Sequence, residues 1–108
     1  MMNMADRNNL PAGLLEDVKS RLDVTWDDDA TDKKYSGLIA QGMAYLNKKL
    51  GEEADYTADG DPRALLMEYV RYARDQALDV FENNYQSAIL AAQHDLEVKR
   101  FVESTKQA

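Results

Sequence analysis

The sequence has no cysteine. That excludes a disulfide framework, a thiolate metal site and a thiol nucleophile, and it fits a reducing compartment. Long apolar runs are also missing. The longest, Ala88 to Ala92, is five residues, against about 20 for a membrane-crossing helix. The first residues, Met-Met-Asn-Met-Ala-Asp, lack the charged-then-apolar pattern of a secretory signal. The expected location is therefore a cytoplasm, with no membrane partner. Cations are sparse and scattered in ones and twos. Twenty acidic residues stand against 13 basic ones, a net charge of −7. Such a surface repels nucleic acid at a distance, and no stripe of Lys and Arg at phosphate spacing offsets it. No β-alternation of useful length and no internal repeat occur.

What the chain does contain is helical periodicity. At 108 residues it is one domain, long enough to bury roughly two-thirds of its unfolded surface without a disulfide or metal. The reading is all-α, a small bundle of about four helices over approximately 12–23, 28–50, 62–82 and 84–103. Residues 1–9 read as a flexible tail, 10–103 as a single domain and 104–108 as a flexible C-terminus.

The first helix carries the stripe Leu15, Val18 and Leu22. The second carries Tyr35, Leu38, Ile39, Gly42, Tyr45, Leu46 and Leu50. Asp28 or Asp29 can cap it, Lys48 and Lys49 suit its last turn, and Gly51 supplies a left-handed stop. Gly37 and Gly42 each weaken this helix by up to about 1 kcal/mol relative to Ala. Close approach of another helix would explain them. After a polar loop at 51–61, Asp61 reads as a cap and Pro62 as the first helical residue. The third stripe is Leu66, Tyr69, Val70, Ala73, Ala77, Val80 and Phe81, with Glu68–Arg71 and Arg71–Asp75 spaced to pair on the outside. Asn83 with Gln86 resembles a capping box that starts the fourth helix. Its stripe runs Tyr85, Ile89, Ala92, Leu96 and then changes phase to Val98, Phe101 and Val102. One straight helix cannot aim both sets at one core. The second set either contacts a neighbouring molecule or belongs to a helix bent back on its own domain.

Chemical motifs are weak. Asp55 to Asp61 fills calcium-loop positions one, three and five and the glycine at six. The twelfth position is Leu66 where a bidentate Glu is required, so a polar turn is the better reading. Asp27-Asp28-Asp29 reads as a solvated cap. His94, the single histidine, diverges from Asp95 by about 100° on a helix and reads as a surface residue. Glu68, Asp75 and Asp79 could share one helix face, as magnesium-binding carboxylates do in all-α nucleotide pyrophosphatases. Arg71 intrudes on that face and no facing carboxylate pair accompanies it, so a charged solvent face is the simpler reading. No catalytic residue, metal ligand set or cofactor is expected, and the chain reads as a non-enzyme. Tyrosines on the stripes read as core residues with a polar tip. Trp26 in the acidic turn, Tyr56 in the loop and Tyr85 join Val98, Phe101 and Val102 as candidate interface residues. Trp26 could equally cover the end of the core.

Four segments in order, spanning about 14–98, carry a resemblance: Leu15 to Leu22, the acidic turn Asp27–Asp29, Leu38 to Leu46 closed by Gly51, and Phe81 to Ser87 after a long third helix. In this layout the chain resembles the head–tail connector (adaptor) proteins of tailed phages and prophages. The resemblance implies a structural protein made in the bacterial cytoplasm and placed in the virion neck. It implies a homo-oligomeric ring of about a dozen copies joined head to tail, docked on the portal, meeting stopper or tail-completion proteins, with DNA passing through. An acidic lumen would let DNA slide, since few cations would hold its phosphates. The alternatives are a helical interaction module or subunit of another complex, and a magnesium-dependent nucleotide hydrolase.

Overall fold

The computed structural model describes residues 10–107; the expected tail over 1–9, and Ala108, lie outside them. The described residues form four helices and no strand, in the order α1 (Leu14–Arg21), α2 (Asp29–Leu50), α3 (Asp61–Arg74) and α4 (Leu78–Gln107). The expected all-α bundle is the observed one, but its inner boundaries differ.

Helix α1 is shorter than 12–23 because Asp23 turns left-handed at φ 57°. The Val24 N–H donates to Lys19 O at 2.8 Å and the Asp23 N–H to Ser20 O at 3.3 Å, the paired closure that satisfies the last carbonyls of a helix. Helix α2 begins as expected. The Asp28 carboxylate accepts from the Thr31 N–H at 2.7 Å, and that bond holds the Asp28 carboxyl below its ordinary range. Gly51, at φ 82°, ends the helix. Lys19 donates to Asp32 at 2.6 Å, which joins α1 to α2 and raises the Lys19 pKa.

Helix α3 packs along α2 where Gly42 opens the surface. A Cβ at Gly42 would lie 2.7 Å from carbons of both Leu66 and Tyr69. This is the close helix approach expected of a glycine inside α2. Helix α3 starts at Asp61 with Gly60 as its cap residue and no side-chain cap, so Asp61 is the first helical residue and not the cap. Arg63 holds α3 to α1 through Asp17. At the other end Arg74 donates to Leu22 O at 3.3 Å.

The third and fourth helices meet eight residues earlier than the sequence reading places their boundary, since α3 ends at Arg74 and not at 82. Gln76 adopts φ 56°, its N–H donates to Ala73 O at 3.1 Å, and the Ala77 N–H donates to Tyr72 O at 2.8 Å. This is the same closure that ends α1. Helix α4 then starts at Leu78, so Asn83 and Asn84 sit exposed inside it and do not cap it. It also continues past the expected end at 103, to Gln107. A left-handed conformation disfavours a non-glycine residue by roughly 1–2 kcal/mol. Gln76→Gly is therefore expected to raise stability by about 0.5–1 kcal/mol after the added chain entropy of glycine, read as a higher urea midpoint.

Phe81, fully buried, anchors the contact of α4 with α2 and α3. Its ring stacks on Tyr85 with centroids 5.1 Å apart and meets Tyr69 at 5.5 Å, Tyr72 at 5.9 Å and Tyr45 at 6.2 Å. The hydroxyls of this cluster bond at its rim, Tyr45 to Glu82 and Tyr85 to Glu68, each at 2.9 Å. Burial pushes the Tyr45 and Tyr56 hydroxyls up to about 12, and the bond to Glu68 does the same for Tyr85. The folded chain thus keeps protons that the unfolded chain releases from about pH 10. Their contribution to stability is complete below that pH and disappears as pH rises toward 12. An alkaline titration followed by tyrosinate absorbance and circular dichroism is expected to show late ionisation coupled to loss of helix.

Candidate functional site

Helix α4 is 30 residues long, about 45 Å at 1.5 Å per residue, and largely sets the 51 Å long axis of the molecule. Phe81, Ile89 and Ala92 are buried on its inner side, and Leu96 is half-buried against the same core. Beyond Leu96 the Arg100–Glu52 ion pair at 3.0 Å ties it to the bundle.

At about 100° per residue, Leu90, His94, Val98, Phe101 and Val102 fall on the opposite side. There Leu90 is 56% exposed and Phe101 73% exposed, with Val98 and Val102 also exposed. Val80 is exposed on the same side near the helix start but is separated from Leu90 by Asn83, Asn84 and Ser87. The phase change at Val98 is therefore a second apolar face of one continuous helix, and the bent-back alternative does not occur. Asp95 and Glu97 border this face, one on each edge, while Lys99, Arg100 and Lys106 lie further round.

A second exposed apolar group sits at the other end of the bundle. Trp26 is 71% exposed, so it does not cover the core. With Leu22, Val24, Tyr35, Lys34 and Arg74 it lines a groove of about 430 Å³. An adjoining depression of about 370 Å³ is lined by Arg21, Glu68, Arg71 and Arg74. Together they gather four cations, Arg21, Lys34, Arg71 and Arg74, with two carboxylates, Asp23 and Glu68. Of the nearby acids of the turn, Asp27 lies 3.7 Å from Lys19 and Asp28 caps α2, while Asp29 is exposed.

Two expected interface residues are placed elsewhere. Tyr56 is 3% exposed. Its hydroxyl donates to Asn47 Oδ1 at 2.7 Å and its carbonyl accepts from Arg63 at 2.7 Å. It is a core residue of the 51–61 loop, and an exposed anchor is ruled out. Tyr85 is half-buried, occupied by Phe81 and Glu68, which makes it a rim residue of the aromatic cluster. Leu90, on one edge of the outer stripe, escapes sequence reading because it lies in the run Ala88–Ala92, which is apolar all round.

The carboxylate arrangement suggested for Glu68, Asp75 and Asp79 does not form. These residues fall on α3, in the turn after it and on α4 respectively. Glu68 is 3.4 Å from Arg71, and Asp75 pairs with Arg74 at 3.2 Å and not with Arg71. Asp55 accepts from the Thr57 N–H at 2.9 Å, a local turn. His94 is exposed. Among the described residues no group of three or more His, Cys, Asp or Glu is placed to hold a metal ion, and no helix is long and apolar enough to cross a membrane. No protein-family model, curated protein or solved structure matches the chain.

Proposed function

We propose that this chain is a structural assembly protein, a ring-forming head–tail connector of the tailed-phage type, which joins the portal to the tail-completion proteins and encloses the DNA passage. The observation that carries the reading is the outer stripe of α4, an unpartnered apolar face on a helix whose other side already serves the core. Soluble chains seldom leave such a contiguous face bare unless it is an interaction site. The order of the sequence segments that resemble connectors supports the specific assignment. The net charge of −7 suits a wall past which DNA must slide.

The test is light scattering of the purified chain, alone and with the portal protein of the same phage or prophage. Growth into a closed multimer, or capture by the portal, is the expected result. A strict monomer that does not bind the portal would remove the reading. The second reading, an interaction subunit of another complex, would be favoured by flanking genes free of portal, capsid and tail functions.

A further inference from the structure

Resting on that reading, we infer that the head-to-tail contact is made by the outer stripe of α4 of one copy seated in the Trp26 groove of the next. Three observations point to a second copy as the occupant. The two surfaces are complementary in charge: acids, Asp95 and Glu97, edge the stripe, while the groove carries Lys34 and Arg74, the latter shared with Asp75, and Arg21 close by, against one carboxylate, Asp23. Lys34 and Arg21 have no carboxylate partner among the described residues, so both are available to an incoming acid. The groove volume of about 430 Å³ accommodates one aromatic ring, and Phe101 is the most exposed apolar side chain of the stripe.

The groove and the Val98–Val102 part of the stripe also lie at opposite ends of the fold. The groove is at the start of α2, beside Thr31 and Tyr35. The stripe passes the end of α2, where Arg100 meets Glu52. A copy therefore cannot satisfy its own groove, and a repeated contact of two different surfaces closes into a ring or runs on as a filament. Pairing of α4 with α4 of a second copy is disfavoured, because it would set the acidic edges against each other with no cation from the groove.

The experiment mixes two full-length variants altered at exposed positions, Phe101→Asp, which keeps the groove, and Trp26→Asp, which keeps the stripe. Wild-type chain is expected to associate with rising concentration in sedimentation velocity. Each variant alone is expected to associate at least about tenfold more weakly, with unchanged circular dichroism. Their equimolar mixture is expected to form a one-to-one dimer and stop there. The charge swap Glu97→Lys is expected to weaken association and to recover it when combined with Lys34→Glu. A wild-type chain that stays monomeric at every concentration, variants that associate as wild type, or a mixture that forms no dimer would each overturn the pairing. Portal capture by a chain that fails these tests would leave the connector reading standing and assign the stripe to the portal.

Discussion

Phe81→Ala is expected to lower stability by about 3–5 kcal/mol. The ring is fully buried and touches four tyrosines from α2, α3 and α4. Its removal takes away the transfer free energy of a large side chain and leaves a cavity. Those neighbours have limited room to collapse into it, because Tyr45 and Tyr85 are held by Glu82 and Glu68 and Tyr69 by Gln41. Edge and stacked aromatic pairs add about 0.5–1.5 kcal/mol each beyond buried area. Against a total of about 5–15 kcal/mol for a domain, this is a large share. The measurement is urea unfolding, where the midpoint falls with little change in slope. A loss below about 1 kcal/mol would show that the cluster repacks and that Phe81 does not anchor α4.

Gly42→Ala is the second large effect, and its sign runs against helix propensity. Alanine in a helix interior is favoured over glycine by about 0.5–1 kcal/mol. Here the new methyl would sit 2.7 Å from both Leu66 and Tyr69. Leu66 is fully buried and Tyr69 nearly so, so neither side chain can swing into solvent. Overpacking of this kind disfavours the fold by about 1–3 kcal/mol. The net expectation is a loss of about 1–2 kcal/mol, with α3 shifted away from α2. A stabilised Gly42→Ala variant would mean that the two helices tolerate a wider spacing.

Helix α2 was readable at both ends because each carries a residue with one physical job there, Asp28 accepting a backbone N–H and Gly51 turning left-handed. The α3–α4 junction was not. Its stop residue is Gln76, which carries no compositional signal for positive φ. The apolar spacing of Ala73, Ala77, Val80 and Phe81 continues across the turn as though one helix ran through. Tyr56 was misplaced for a related reason. A loop tyrosine is buried only if a partner exists for its hydroxyl, and that partner, Asn47, reads as an ordinary polar position of α2. The outer stripe was visible as a change of phase. Only the course of α4 could show that it faces away from the core along a single helix and that Leu90 belongs to it.

If copies join through α4 as proposed, the far end of that helix governs how they do so. Past Leu96, every residue from Glu97 to Lys106 is exposed, and an isolated helix shorter than about 12–15 residues is marginal in water. In the ring proposed above, a neighbour that receives this segment would supply the packing that it lacks within its own fold. Part of the attraction at such a junction would go into ordering the segment, leaving a single junction reversible and a closed ring longer-lived. Under that reading a misplaced copy would leave before the circle shuts, and the weakness of each arm would itself act as proofreading.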